Sequence, residues 1–176
     1  NIHLLKQEQE KYHYTLIEIP EQLVDEAGVS STKIRKALSA GSVREAPVMM
    51  GRSYSVKGTV VKGNQLGRTI GYPTANLQLQ DEDQLLPAVG IYCVKVGHSE
   101  NIYGGMLSIG YNPTVTDEKT IKIEVNIFDF DKEIYGEELE LLFVDKMRDE
   151  QKFASLDALK DQLKKDEEMA KSLLSH

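Results

Sequence analysis

From Tyr54 onward, apolar side chains recur at every second position or gather in short runs, over residues 54–62, 91–96, 103–109, 121–130 and 139–144. Alternation of this kind suits a half-buried strand, because successive side chains point to opposite faces of a sheet. Clusters of Gly, Pro, Asn and Asp separate the runs. Five or six short strands without intervening helices predict a mainly β fold, an antiparallel barrel or sandwich rather than a doubly wound sheet. Past Phe153 the rhythm changes. Leu156, Leu159, Leu163, Ala170 and Leu173 or Leu174 follow a helical stripe, with Asp, Glu and Lys on the other face, so one amphipathic helix is expected there.

Residues 1–50 read differently. A strand-like run covers 15–19 and ends at Pro20. Ser30-Ser31-Thr32-Lys33-Ile34-Arg35 supplies capping hydroxyls and then apolar residues at helical spacing as far as Leu38, with Gly41 as a stop, which predicts a helix. Pro47 is expected to restart the chain, and Gly51-Arg52 to mark a boundary before the β-rich part.

Composition narrows the function classes. The 176 residues are 40% hydrophobic and 28% charged, enough for one domain with a real core and an appendage. A formal net charge of −7 opposes non-specific binding to nucleic acid, which draws on Lys and Arg neutralising phosphates, and favours a small-molecule ligand. No apolar run approaches the roughly 20 residues a membrane helix needs. The lone cysteine, Cys93, sits in an apolar run and reads as a small core hydrophobe, consistent with a cytoplasmic protein. His3, His13, His98 and His176 show no ligand spacing, and Asp129, Asp131 and Glu133 read as a solvated acidic turn.

The stretch from Val60 to Leu77 is the most informative. Gly63, Gly67 and Gly71 recur after a strand beside Lys62 and Arg68, suggesting a loop whose backbone amides can approach phosphates. It is not a P-loop: the spacing from Gly63 to Arg68-Thr69 is one residue short, Arg stands where Lys belongs, and Gly71 and Pro73 follow where the helix should start. Next comes Pro73-Thr74-Ala75-Asn76. If the backbone is extended there, Thr74 and Asn76 share a face and offer two neutral oxygens. That is a poor Mg²⁺ cage alone, but a sufficient protein share when nucleotide phosphates and water complete the octahedron. In Lys122-Ile123-Glu124-Val125-Asn126-Ile127, the apolar residues take one face of the strand and Glu124 the other. Pattern alone makes Glu124 a solvated surface carboxylate.

These segments together resemble the riboflavin kinases, whose glycine-rich loop leads into Pro-Thr-Ala-Asn. Leu86-Pro87-Ala88-Val89-Gly90-Ile91-Tyr92, Ser108-Ile109-Gly110-Tyr111-Asn112-Pro113-Thr114, Glu124-Val125-Asn126-Ile127-Phe128-Asp129-Phe130-Asp131, Ile134-Tyr135-Gly136 and Phe143-Val144-Asp145-Lys146-Met147-Arg148 match in the same order. The resemblance implies a small Greek-key barrel with a C-terminal helix over residues 48–176. It implies transfer of the γ-phosphate of ATP to riboflavin, giving FMN and ADP with Mg²⁺. It assigns Thr74 and Asn76 to the metal, and Lys62, Gly63, Gly67, Arg68, Gly71, Pro73, Thr74 and Asn76 to ATP. Glu124 becomes the general base, and Arg148 and Phe153 bind the flavin.

Ser30-Ser31-Thr32-Lys33-Ile34-Arg35 is similar to a phosphate-holding motif in the adenylyltransferase half of bifunctional bacterial FAD synthetases. By that likeness residues 1–47 are the tail of such a domain, joined in cis in a longer parent. The upstream His-x-Gly-His element is not in this sequence, so no FAD synthesis is expected of the chain itself. A flavin or nucleotide carrier without chemistry is the rival reading.

Overall fold

The structure, a computed structural model, describes residues 2–17, 23–24, 27–28, 30–63, 66–81, 83–111 and 120–175. The end of the strand-like run at 18–20, Asn64-Gln65 of the glycine loop, Asn112-Pro113-Thr114 and His176 lie outside them. The chain opens with helix α1 (Ile2–Tyr12), then the two-residue strands β1 (Leu23–Val24) and β2 (Ala27–Gly28), helix α2 (Ser31–Ser39) and helix α3 (Glu45–Met50). Strand β3 (Ser55–Val61), the single turn α4 (Leu66–Thr69) and strand β4 (Ala75–Leu79) follow. Strands β5 (Gly90–His98), β6 (Asn101–Tyr111), β7 (Ile121–Ile127) and β8 (Glu138–Arg148) lead to helix α5 (Leu156–Leu174).

Six strands close a barrel in the order β3-β4-β7-β6-β5-β8, every neighbouring pair antiparallel. The neighbours β4–β7 and β5–β8 are not consecutive in sequence, which gives the crossovers of the expected Greek key. Alternation sets what goes inside. Val56, Val60, Leu77, Tyr92, Val94, Leu107, Ile123, Val125, Leu141 and Phe143 are all buried in one cluster. Their neighbours in sequence face outward. A second, smaller cluster forms outside the barrel, where Ala170, Leu163, Leu173 and Leu174 of α5 cover Cys93, Met106 and Phe128. The helical stripe is therefore docked, although Leu156 at its start stays exposed.

Several expectations change. Pro47 does not restart the chain; it sits in the first turn of α3, where its missing N–H removes no helical bond. The break comes at Gly51, whose left-handed φ of 69° caps that helix. Strand β7 ends at Ile127, not at 130, because Phe128 and Asp129 turn, with Asp129 at φ 53°. Strand β8 runs on to Arg148, well past the expected 144. The end of the N-terminal segment packs on the barrel: Leu38, Val43 and Ala46 join the barrel's core cluster, and Arg44 pairs with Asp145 at 2.8 Å. Ser30 caps α2 by accepting a hydrogen bond from the Lys33 amide.

Candidate active site

The outward positions of β7 are Lys122, Glu124 and Asn126, alternating with buried Ile123, Val125 and Ile127. The ladder sets Glu124 opposite Asn76 on β4 and opposite Ser108 on β6. Directly opposed residues share a face, so these polar side chains project together from the outer wall of the barrel. Thr74, just before β4, reaches the same spot: its Oγ1 donates to Glu124 Oε1 at 3.5 Å. The other carboxylate oxygen takes the Lys122 ammonium at 2.9 Å. Glu124 is thus held on both sides and is 27% exposed, not a freely solvated surface group.

Two cavities meet at Thr74. The first, about 270 Å³, runs from Thr74 and Glu124 under α5, with Ile91, Met106, Leu163 and Phe153 among its apolar walls. The second, smaller, has Thr74 and Pro73 at one side, Arg68 and Lys132 as cations, and Phe130 and Tyr135 as aromatic walls. One is a mostly apolar slot, the other a notch in which Arg68 and Lys132 outnumber one carboxylate, Glu133.

The glycine loop is shaped by close approach. At Gly63 a Cβ would collide with the Asn76 amide, and at Gly67 with the Tyr72 carbonyl. Tyr72 in turn donates its amide to Gly67 O at 2.9 Å, closing the loop onto the strand start. The Tyr72 ring packs against the cluster under α5. Burial, and then the neighbouring Glu167, push its hydroxyl's pKa up.

At the far end of the first cavity Arg148 is bound bidentate by Asp166 of α5, Nε to Oδ1 at 3.0 Å and Nη2 to Oδ2 at 2.7 Å. Asp166 is 3% exposed and also takes Gln162 Nε2 at 2.8 Å. Arg148 lies 5.8 Å from the Phe153 ring centroid, so both residues expected on the flavin side stand on one wall.

Of the expected residues, then, Thr74, Glu124, Gly67, Arg68, Pro73, Arg148 and Phe153 line one or both cavities. Asn76 stands beside Glu124 with Gly63 against its amide. Lys62 and Gly71 line neither cavity. Sequence reasoning passed over Lys122, Asn126 and Asp166. The period-two rule could have found the first two, two residues either side of Glu124; nothing local marks Asp166, whose partner is 18 residues away.

The family model described as riboflavin kinase matches residues 50–174. The bifunctional riboflavin kinase/FMN adenylyltransferase of Listeria monocytogenes is 46% identical over 140 residues, 80% of this chain and 44% of that protein. A relative with the same name from Buchnera aphidicola is 39% identical over 168 residues, covering 94% of this chain and 53% of itself. The chain therefore spans about half the length of these curated relatives. A solved structure from Streptococcus pneumoniae, named as a macrolide-efflux protein, is 43% identical with a TM-score of 0.83, over 93% of this chain and 54% of that one. That name stands apart from those of the curated relatives, and the likeness contributes the backbone. Among the described residues no helix is long and apolar enough to cross a membrane.

Proposed function

The chain belongs to the riboflavin kinase family, and on that premise we propose that it transfers the γ-phosphate of ATP to the ribityl 5'-hydroxyl of riboflavin, giving FMN and ADP. The observation that carries this reading is the meeting of two unlike cavities at Thr74, with Glu124 at the junction. A phosphoryl group passing between two bound ligands must cross where their sites touch.

Riboflavin's ring system fits the apolar slot beside Phe153 and Arg148, which leaves its ribityl chain pointing to Glu124. The nucleotide takes the cationic notch, its phosphates toward Arg68 and the glycine loop. Glu124 accepts the proton of the attacking hydroxyl, and the cations oppose the charge on the transferred group. Sequestration under α5 keeps water from competing as acceptor. The donors near the junction are hard oxygens with no thiol or imidazole, a set that fits Mg²⁺. Thr74 and Asn76 would hold the ion, and when bound it would neutralise phosphate charge. Among the described residues no three His, Cys, Asp or Glu side chains gather as a metal site, so we expect Mg²⁺ to bind with ATP or ADP and weakly without them.

Residues 1–47 we assign to the end of an adenylyltransferase domain, since the relatives' name carries that second activity; FAD would then be made by a longer parent in the cytoplasm. The test is direct. Purified chain with riboflavin, ATP and Mg²⁺ should yield FMN on chromatography, and FMN plus ATP should yield no FAD. Flavin and nucleotide binding without FMN would instead make the protein a carrier.

A further inference from the structure

The pairing of β4 with β7 stops at Ala75↔Val125. The next residue toward the glycine loop is Thr74, and before it stands Pro73, which has no amide hydrogen to extend a ladder. At that point a side chain takes over: Asn126 Nδ2 donates to the Pro73 carbonyl at 2.7 Å. Asn126 lies two residues from Glu124 on the same face of the strand. One short segment of β7 thus holds both members of the junction, the carboxylate itself and, through Asn126, the backbone that presents the Thr74 hydroxyl.

We propose that Asn126 is a positioning residue that fixes Thr74 against Glu124. This rests on the kinase reading of the same site. Thr74 is pinned on its C-terminal side by the strand ladder and on its N-terminal side by this amide. The Thr74–Glu124 contact, at 3.5 Å, is at the limit of a hydrogen bond, so a small drift of the Pro73 carbonyl removes it. Losing a partner that orients a ligand-holding residue typically costs roughly 10- to 100-fold in activity.

The experiment uses the full chain. Asn126→Asp sets an acceptor against the Pro73 carbonyl, so kcat should fall roughly 10- to 100-fold. Riboflavin affinity, read by quenching of flavin fluorescence, should stay within about threefold, because the lost bond is to the backbone rather than to the ring. Asn126→His places an N–H near the position of Nδ2 and should restore most of the rate. Unchanged kcat in Asn126→Asp overturns the proposal. So does a loss confined to riboflavin affinity, which would make Asn126 a flavin contact, and so does failure of Asn126→His to recover rate at an unchanged melting temperature. A wild-type chain that makes no FMN overturns the kinase reading itself, and the two failures are told apart by that control.

Discussion

The two faces of β7 are one stretch of backbone under two different demands. Inward, Ile123, Val125 and Ile127 are at most 8% exposed and fill the barrel. Outward, Lys122, Glu124 and Asn126 carry a carboxylate, its cation and an amide clamp. Because neighbours alternate, the apolar face makes the polar face rigid: Glu124 and Asn126 each stand between two buried inward residues. A mobile loop could hold the same groups but not hold them to the few tenths of an ångström that proton transfer needs. On the proposed role of Glu124 the strand separates stability from chemistry at single-residue resolution, and substitutions one position apart should fail in different ways.

The largest expected effect is on the outward face. Glu124→Gln keeps size and most hydrogen bonding but cannot take the proton, so kcat should fall roughly 10²- to 10⁴-fold while the melting temperature and flavin affinity hold. A rate equal to wild type would remove Glu124 from the mechanism and collapse the contrast. One residue away, Ile123→Ala should do the reverse. It leaves a cavity in the barrel and should cost about 2–5 kcal/mol in denaturant unfolding, with the remaining folded protein turning over at close to the wild-type rate. Should its rate per folded molecule drop as far as that of Glu124→Gln, the two faces are not separable.

Cys93 sharpens the comparison, because it too points out of the barrel yet is covered by α5, its Sγ 3.6 Å from Ala170 O. Burial pushes its thiol up to about 11, with Asp145 adding to the rise. The native protein at pH 8 should therefore react with iodoacetamide roughly 10²-fold more slowly than free cysteine. In linkage terms the folded value lies above the unfolded one, so this group's contribution to stability is full below pH 9 and lost as pH climbs through about 11. Fast labelling at pH 8 would mean that α5 opens readily. The smallest effect belongs to an outward residue far from the site: Lys57, 52% exposed and 3.9 Å from Glu138, should tolerate Lys57→Ala within about 0.5 kcal/mol and with unchanged turnover. A larger loss of rate there would show that facing outward, rather than facing the junction, is what matters.

Much of this was written locally. The period of two decides which β7 residues share a face before any partner strand exists, since it follows from the pleat alone; Ile121 shares the inward phase and is still 47% exposed. The stripe from Leu159 to Ala170 decides likewise which side of α5 docks. Capping was legible in Ser30, whose hydroxyl accepts from the Lys33 amide; the matching cap of α5, Ser155 accepting from the Ala158 amide, came only with the structure. The ordered motifs gave the family, and with it the expectation for Thr74 and Glu124. Less of the boundary detail was legible. Pro47 reads as a breaker until its place in a first turn is known, and the single turn α4 is too short to have a period.

What the chain order left open is who meets whom. Thr74 and Glu124 are 50 residues apart, and they touch because β4 pairs with β7 rather than with β5. Arg148 meets Asp166 only once α5 folds back over the end of β8. Such contacts depend on register and closure, which are set by hydrogen bonds between distant segments and by the linked tilt and stagger with which six twisted strands close over one apolar core. Which side chains of a strand face outward can be read along the chain. Which of them share a site emerges on closure of the barrel, because facing is a property of one strand and adjacency is a property of the closed sheet.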